Sequence, residues 1–416
     1  MQGSPNIMDT KIGLCGFINI GNTCYMNSII QLLLHSKNLV KFLLNNDGKA
    51  EYEEYLNEAI IDNLANKERK RLCLDSSSRV TIDRKDIDIL TKTAIITQLS
   101  EIVNAIIKKG NSIITPVSLK KAIDIKLPSF RGMHQQDSHE LLIQLLDCIV
   151  DETGIESEPE INNVPESINK YLSLLEQVKL MTKQTSNIEE KKSIISKFNE
   201  YRKENKLIIN NYLGITYMLK YFKEKYNPFI YKFMGFAINK IECENCKNIN
   251  TNFENISVLS LNIKSSLKEC LDDFIEPEKI NDYNCSICQS IQVASKTTKI
   301  WRNPYVLFIH LKRFKVIGTG RILKDNTIVD IPHELNLTDY CDNSLYTKKS
   351  INPIYKLKGI SNHHGGMGGG HYTADCQCLV NKDVWYNFDD SNVSRYQNKN
   401  INMNSAYVLM YELNTK

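Results

Sequence analysis

Gly21-Asn22-Thr23-Cys24-Tyr25-Met26-Asn27-Ser28 reads as a turn running into a helix, with a cysteine at the junction. Gly21 and Asn22 are turn formers, and Thr23 is a favoured N-cap residue. Behind them Met26, Ile29, Ile30, Leu33 and Leu34 recur at helical spacing, which predicts a buried amphipathic helix. Cys24 then falls in the first helical turn, where unpaired backbone N–H groups and the positive end of the dipole favour a thiolate. A cysteine nucleophile needs that activation and a histidine base from elsewhere in the chain. Without the base, the same residue is simply a small buried hydrophobe.

The far end of the chain supplies the base. Gly365-Gly366-Met367-Gly368-Gly369-Gly370-His371-Tyr372 puts a histidine directly after a glycine-rich loop. Trp385-Tyr386-Asn387-Phe388-Asp389-Asp390 follows, apolar and aromatic like a strand, ending in two carboxylates. A thiol, an imidazole and a carboxylate in that order fit papain-like cysteine proteases. Extended to Gly13–Ser28, the first block resembles the Cys box of the ubiquitin-specific proteases. The segment Asn362–Asp390, with Ala406–Tyr411, resembles their His box, in the group that has a glycine-rich loop before the histidine.

That resemblance implies roles. Cys24 would be the nucleophile and His371 its base. Asn19, five residues before the cysteine, stands where the family places its oxyanion-hole side chain. Strand alternation puts Trp385, Asn387 and Asp389 on one face and Tyr386, Phe388 and Asp390 on the other, so one acid alone reaches the histidine. The family pattern selects Asp389, holding the Nδ1 proton, with Asp390 as an accessory acting through a water. The glycines let two backbones approach closely, as a narrow channel for ubiquitin's Gly-Gly tail requires.

The chain has 416 residues, 42% hydrophobic and 24% charged, an ordinary globular composition long enough for a large core. A net charge of +4 spread along the chain gives no reason to expect nucleic acid. No apolar run reaches ~18 residues, so no membrane helix is expected. Residues 1–10 are polar, read as a flexible tail and lack a signal peptide's apolar core. An intracellular setting, cytoplasmic or nuclear, follows as an expectation; for a viral protein it would be the host cell's. Abundant Asn, Ile and Lys suggest an AT-rich coding genome. In a reducing compartment cysteine pairs read as metal ligands before disulfides.

Several helices are expected along the chain. The run Lys67-Glu68-Arg69-Lys70-Arg71 reads as a solvated helix face. Ile95, Leu99, Ile102, Val103, Ile106 and Ile107 mark a helix over 93–108, and another spans 117–125. In Gln135-Gln136-Asp137-Ser138-His139-Glu140 the acids Asp137 and Glu140 lie one turn apart at the start of a leucine-rich helix. From the residues alone, helix N-terminal complementarity and binding of a basic peptide are equally good readings. The resemblance favours the second, because the family uses acids here for the arginines of ubiquitin's tail. His139 reads as a structural or surface histidine rather than a second base.

Residues 154–206 match no motif of the family and read as an inserted helical hairpin, with helices at 168–183 and 188–206. Cys243-Glu-Asn-Cys246 and Cys285-Ser-Ile-Cys288 are two Cys-x₂-Cys knuckles, which together complete a tetrahedral zinc site. The 38 residues between them include the strand-like Ile256–Ile263, so one long zinc-tipped hairpin is expected. Cys270 reads as buried. Pro304–Phe314 is a dense apolar run and predicts a central strand buried on both faces, with His310 in the core.

The expected whole is an α+β, papain-like fold of the ubiquitin-specific protease type. Residues 11–413 would form one catalytic domain. Within it, 11–150 would be the thumb, 154–206 the insertion, 217–300 zinc-tipped fingers and 301–413 mainly palm. The expected activity is hydrolysis after the last glycine of ubiquitin, with zinc structural and no catalytic cofactor. A protease for a ubiquitin-like modifier and a non-catalytic ubiquitin-binding scaffold are the rival readings. Keeping the thiol, imidazole and carboxylate together argues against the scaffold.

Overall fold

The computed structural model describes residues 14–44, 46–72, 80, 82–109, 113–159, 164–318, 320–342, 353–366, 369–397, 401 and 403–414. The segment 1–10, read above as a tail, lies outside them, as do Met367 and Gly368.

The first third is helical: α1 (Cys24–Leu34), α2 (Lys37–Leu44), α3 (Asn46–Arg71), α4 (Arg84–Thr93), α5 (Ile95–Lys109), α6 (Val117–Lys126) and α7 (Ser138–Thr153). Every residue of α1 is buried, because the helix lies between α7 and the main sheet. Its polar residues must therefore find partners inside. Gln31 does so by donating to the Cys15 carbonyl, and Ser28 by donating to that of Tyr25. The leucine stripe of α7 is buried as its spacing predicts, at Leu141, Leu142, Leu145, Leu146 and Ile149. At the end of α3, Arg71 is exposed and pairs with Glu68, as a solvated helix face requires.

The insertion is helical, with α8 (Glu166–Gln184) and α9 (Ile188–Glu204) turning about Asn187, whose side chain caps α9. A third helix, α10 (Lys206–Glu224), returns against both. It begins where the inserted hairpin was expected to end. The anchor is Tyr171 of α8, whose ring meets those of Phe198, Tyr201 and Tyr212. Short α11 (Pro228–Phe233) leads into the sheets.

β1 (Gly235–Cys243), β2 (Ile249–Ile256), β4 (Glu278–Cys285) and β5 (Ser290–Arg302) form an antiparallel sheet in the order β2-β1-β5-β4. The expected single hairpin is thus two hairpins side by side. The stretch Ile256–Ile263 does not stay with them: β3 (Val258–Leu261) leaves to pair in parallel with β6 (Val306–Leu311) of the main sheet. Helix α12 (Leu267–Ile275) follows β3 and buries Cys270.

The main sheet adds β9 (Glu334–Asn336), β10 (Ile354–Gly366), β11 (Gly369–Gln377), β12 (Trp385–Asp389), β13 (Asn392–Arg395) and β14 (Ala406–Leu413). Its path is β13-β12-β11-β10-β14-β6-β3, with β9 beside β10. Both faces are covered. In β14, Val408 and Met410 join the core shared with the helices, while Leu409 and Tyr411 join the core on the α12 side. That is why β6 and β14 read as unbroken apolar runs. A separate ribbon, β7 (Phe314–Ile317) with β8 (Arg321–Lys324), stands outside the sheet. Helices and mainly antiparallel sheets are segregated, so the architecture is the α+β one expected.

Candidate active site and metal centre

Cys24 is the first residue of α1, as expected, and only 4% exposed. Thr23 precedes it but makes no side-chain cap. Its hydroxyl instead accepts from the Ile20 N–H (3.1 Å) and donates to Asn19 Oδ1 (3.3 Å). Asn19 Oδ1 also accepts from the N–H groups of Gly21 (3.1 Å) and Thr23 (3.0 Å). The Asn19 side chain therefore builds the turn that presents the cysteine. Its Nδ2 donates to Asp390 Oδ2 at 2.9 Å.

Asp390 does not continue β12 as strand alternation implied. It turns into the left-handed region (φ 50°), and its carboxylate comes back directly onto the cysteine segment. Oδ1 accepts from Asn27 Nδ2 of α1 at 2.8 Å, and the Asp390 carbonyl accepts from the Phe17 N–H at 2.9 Å. The approach is close enough that a Cβ on Gly16 would collide with the Ser391 backbone. The expected water-mediated accessory is thus a direct brace between the β12 turn and the turn before Cys24. Asn27 escaped the sequence reading. Its signal is an amide one turn beyond Cys24 in a helix that is otherwise mostly apolar.

His371 lies on β11, and its Nε2 meets Asp389 Oδ1 at 2.6 Å. Asp389 is the partner expected, but on the opposite ring nitrogen: Nε2 is engaged and Nδ1 is left for the reaction. The backbone N–H of Tyr372 is directed at the Cys24 sulfur and favours its thiolate. Burial outweighs it and pushes the thiol's pKa up, with the Asp390 carboxylate adding in the same direction. The helix start alone does not make a resting thiolate here, because the sulfur is desolvated.

Asp137 is spent on structure. Its Oδ1 caps α7, accepting from the N–H groups of His139 (2.7 Å) and Glu140 (3.2 Å), and its Oδ2 accepts from the Tyr407 hydroxyl (2.5 Å). Glu140 is exposed, and among the described residues its carboxylate accepts from Gln144 Nε2 at 3.2 Å. The two acids border a cavity of about 470 Å³ with Lys312, Phe314 and Tyr407. His139 and His310 stack in its wall, with centroids 3.5 Å apart and the Ser260 hydroxyl against both. Burial depresses the His310 pKa to about 2, so the pair stays neutral and structural, as expected of both.

The four knuckle cysteines converge, with all sulfurs within 4.8 Å of one another. Cys243 and Cys288 sulfurs are 4.0 Å apart, and those of Cys246 and Cys285 3.6 Å. Tetrahedral thiolates at the usual ~2.3 Å from zinc would be about 3.8 Å apart. The knuckles are also the same turn built twice. Lys247 and Gln289, each just after the second cysteine, are left-handed (φ 57° and 53°). Each donates its N–H to the carbonyl of the first cysteine, at 2.9 and 2.8 Å. The cluster can hold a metal ion.

A buried helix-start cysteine, a histidine fixed by an aspartate, and a mixed helix-and-sheet frame define a papain-like thiol hydrolase. The sequence profile described as ubiquitin carboxyl-terminal hydrolase matches residues 15–411. A mimivirus protein (Acanthamoeba polyphaga mimivirus) named as a probable ubiquitin carboxyl-terminal hydrolase is 27% identical, over 96% of this chain and 90% of its own length. Usp2 of Drosophila melanogaster is 29% identical over 96% of this chain and 35% of its own length. Human ubiquitin carboxyl-terminal hydrolase 21 is 26% identical over 96% of this chain and 62% of its own length. Among solved structures, the SAGA DUB module containing Ubp8, bound to ubiquitin aldehyde, is similar with a TM-score of 0.61 and 23% identity. That likeness covers 98% of this chain and 71% of the other. The chain belongs to the ubiquitin carboxyl-terminal hydrolase family and is a cysteine-type deubiquitinating enzyme with the ubiquitin-specific protease fold. Among the described residues, no helix is long and apolar enough to cross a membrane.

Proposed function

We propose that this chain hydrolyses the isopeptide or peptide bond that follows the last glycine of ubiquitin, and that its partners are ubiquitin and ubiquitinated proteins. The observation that carries this reading is the convergence of three distant segments: Cys24 at the start of α1, the Tyr372 N–H directed at it, and His371 held by Asp389. His371 Nδ1 takes the proton of the Cys24 thiol, and the sulfur attacks the glycine carbonyl. The Cys24 backbone N–H and the second N–H of the Asn19 amide receive the oxyanion, the first being fixed on Asp390. The imidazolium then protonates the leaving lysine amine, and a thioester remains. Water gives a proton to His371 and attacks the thioester. The tetrahedral species collapses to the glycine carboxylic acid as the His371 proton returns to the sulfur, and the acid ionises to solvent.

In this assignment the helical lobe is the thumb, the main sheet the palm and the four-stranded sheet the fingers. Glu140, exposed at the cavity, faces the arginines of the tail, and Asp137 contributes mainly by fixing α7 and Tyr407. Among the described residues the cysteines are free thiols, which favours an intracellular site, cytoplasmic or nuclear.

A panel of C-terminal electrophilic probes on ubiquitin and on ubiquitin-like modifiers tests the substrate. Labelling of Cys24 by the ubiquitin probe is expected. Labelling by another modifier's probe alone would transfer the activity to that modifier. Binding of ubiquitin without labelling would leave a scaffold.

Cys243, Cys246, Cys285 and Cys288 would hold one zinc, which joins two distant hairpins and adds folding free energy without entering the chemistry. Protein purified without chelator should contain one zinc per chain. Serine at any of the four should lower both the melting temperature and turnover, with His371 and Cys24 untouched. Metal analysis finding no zinc in chelator-free protein would refute the assignment.

A further inference from the structure

The strands that deliver His371 outrun the sheet that supports them. β14 reaches β10 only as far as Asn362, opposite Ala406. β12 reaches β11 only as far as Ala374, opposite Phe388. Beyond those points the ribbon of His363–Gly366 and Gly369–Thr373 is held, among the described residues, mainly by its own pairing, with His364 opposite His371 and Gly365 opposite Gly370, and by one further backbone bond from the His363 N–H to the Ser405 carbonyl at 2.9 Å. A two-stranded ribbon by itself is marginal in water. Its outward backbone groups also need partners. Asp389 holds the imidazole ring but makes no hydrogen bond to the backbone that carries it.

Two side chains from outside the sheet take up those edges. On the β10 edge, Lys324 Nζ donates to the carbonyls of His363 (2.7 Å) and Gly365 (2.9 Å), one on either side of His364. On the β11 edge, Gln135 Nε2 donates to the Gly370 carbonyl (3.0 Å), and the Gly370 N–H donates back to Gln135 Oε1 (3.1 Å). A primary amide sets a carbonyl beside an N–H, so Gln135 mimics a neighbouring strand at the residue before His371. A side chain on Gly370 would collide with the His363 ring, so the backbone itself must be gripped.

Both grips start from fixed points. Gln135 lies two residues before Asp137, which caps α7 and holds Tyr407. Lys324 ends β8, whose root is tied by buried Arg313. Its Nη1 donates to the Asp325 (3.0 Å) and Thr327 (2.9 Å) carbonyls, and its Nε to that of Ala406 (2.6 Å). The Lys324 ammonium is half-buried against that guanidinium, and it donates to backbone carbonyls.

We propose that Gln135 and Lys324 are positioning residues for His371, gripping the two edges of the ribbon that carries it. Neither touches the reacting atoms. The turnover measurement rests on the ubiquitin hydrolase reading; the alkylation measurement does not. Displacing a base by about an ångström can cost up to ~10²-fold, and each grip is one of two, so a loss of about tenfold in kcat is expected for Gln135→Ala and for Lys324→Met. KM on a ubiquitin C-terminal coumarin amide should stay within about threefold of the wild type. Lys324→Arg, which can still donate to two carbonyls, should recover most of the loss. The rate at which iodoacetamide alkylates Cys24 should fall toward that of His371→Ala in both defective variants, at unchanged melting temperature. A loss confined to KM, a kcat within twofold of wild type, or Lys324→Arg no better than Lys324→Met would overturn the proposal. If the ubiquitin reading is what fails, the wild type will not cleave the amide although its alkylation still separates from that of the variants.

Discussion

Cys24→Ala is expected to abolish turnover of a ubiquitin–lysine isopeptide while leaving ubiquitin affinity within a few-fold of the wild type. The sulfur is a single atom on a residue only 4% exposed, at the start of a wholly buried helix. Its removal takes away the group that forms the covalent intermediate and exposes no new surface. The loss should exceed ~10⁴-fold, the scale seen when a nucleophile is deleted from a protease site. Alanine suits a first-turn helical position, so the fold should survive the change. Turnover is read by single-turnover cleavage and affinity by calorimetry. Substantial cleavage by the alanine variant would remove Cys24 from the mechanism. A collapse of affinity would show instead that the cysteine segment shapes the recognition surface.

Much of the frame is legible in the sequence because burial writes it there. β6 and β14 are covered on both faces, so their apolar runs are continuous. The leucines of α7 repeat at helical spacing because one face meets α1. The roles of Cys24, His371 and Asp389 came from motif resemblance. Features set by single backbone torsions or by competition for one atom were not legible. Strand alternation carried past Asp389 fails because Asp390 is left-handed. The family's binding acid at Asp137 is also a helix cap, and the cap takes Oδ1. Which nitrogen of His371 meets the aspartate depends on a ring rotation that no residue pattern encodes. The departure of β3 to the main sheet split an expected hairpin in two, because its parallel pairing with β6 is non-local.

Asp389→Ala should cost more activity than Asp390→Ala, by about one to two orders of magnitude. Asp389 acts on the imidazole itself, at 2.6 Å from Nε2. Without it the ring loses both its orientation and the charge that stabilises the imidazolium, a loss that reaches ~10⁴-fold in a triad. Cysteine proteases that rest as a thiolate–imidazolium pair can lose less, since that pair is already formed. Burial and the Asp390 carboxylate hold the Cys24 thiol up, so proton transfer to His371 belongs to the reaction and the orienting acid keeps most of its effect. Asp390 also lies within 4.8 Å of the His371 ring and Asp389, but its hydrogen bonds go to the cysteine segment. Its carboxylate accepts from Asn19 Nδ2 (2.9 Å) and Asn27 Nδ2 (2.8 Å). Its loss frees the proposed oxyanion donor, worth about 10²- to 10³-fold, and leaves the buried Asn27 amide with the weaker acceptor, the Phe17 carbonyl at 3.4 Å. Asp390→Ala should therefore also lower the melting temperature, which Asp389→Ala, changing a half-exposed side chain, should not. Removing the carboxylate that raises the thiol's pKa partly offsets the damage at Asp390, which widens the gap between the two variants. kcat/KM for both on one ubiquitin substrate, with melting temperatures alongside, decides the order. Greater damage in Asp390→Ala at equal stability would mean that Asp389 is not the third member of the site.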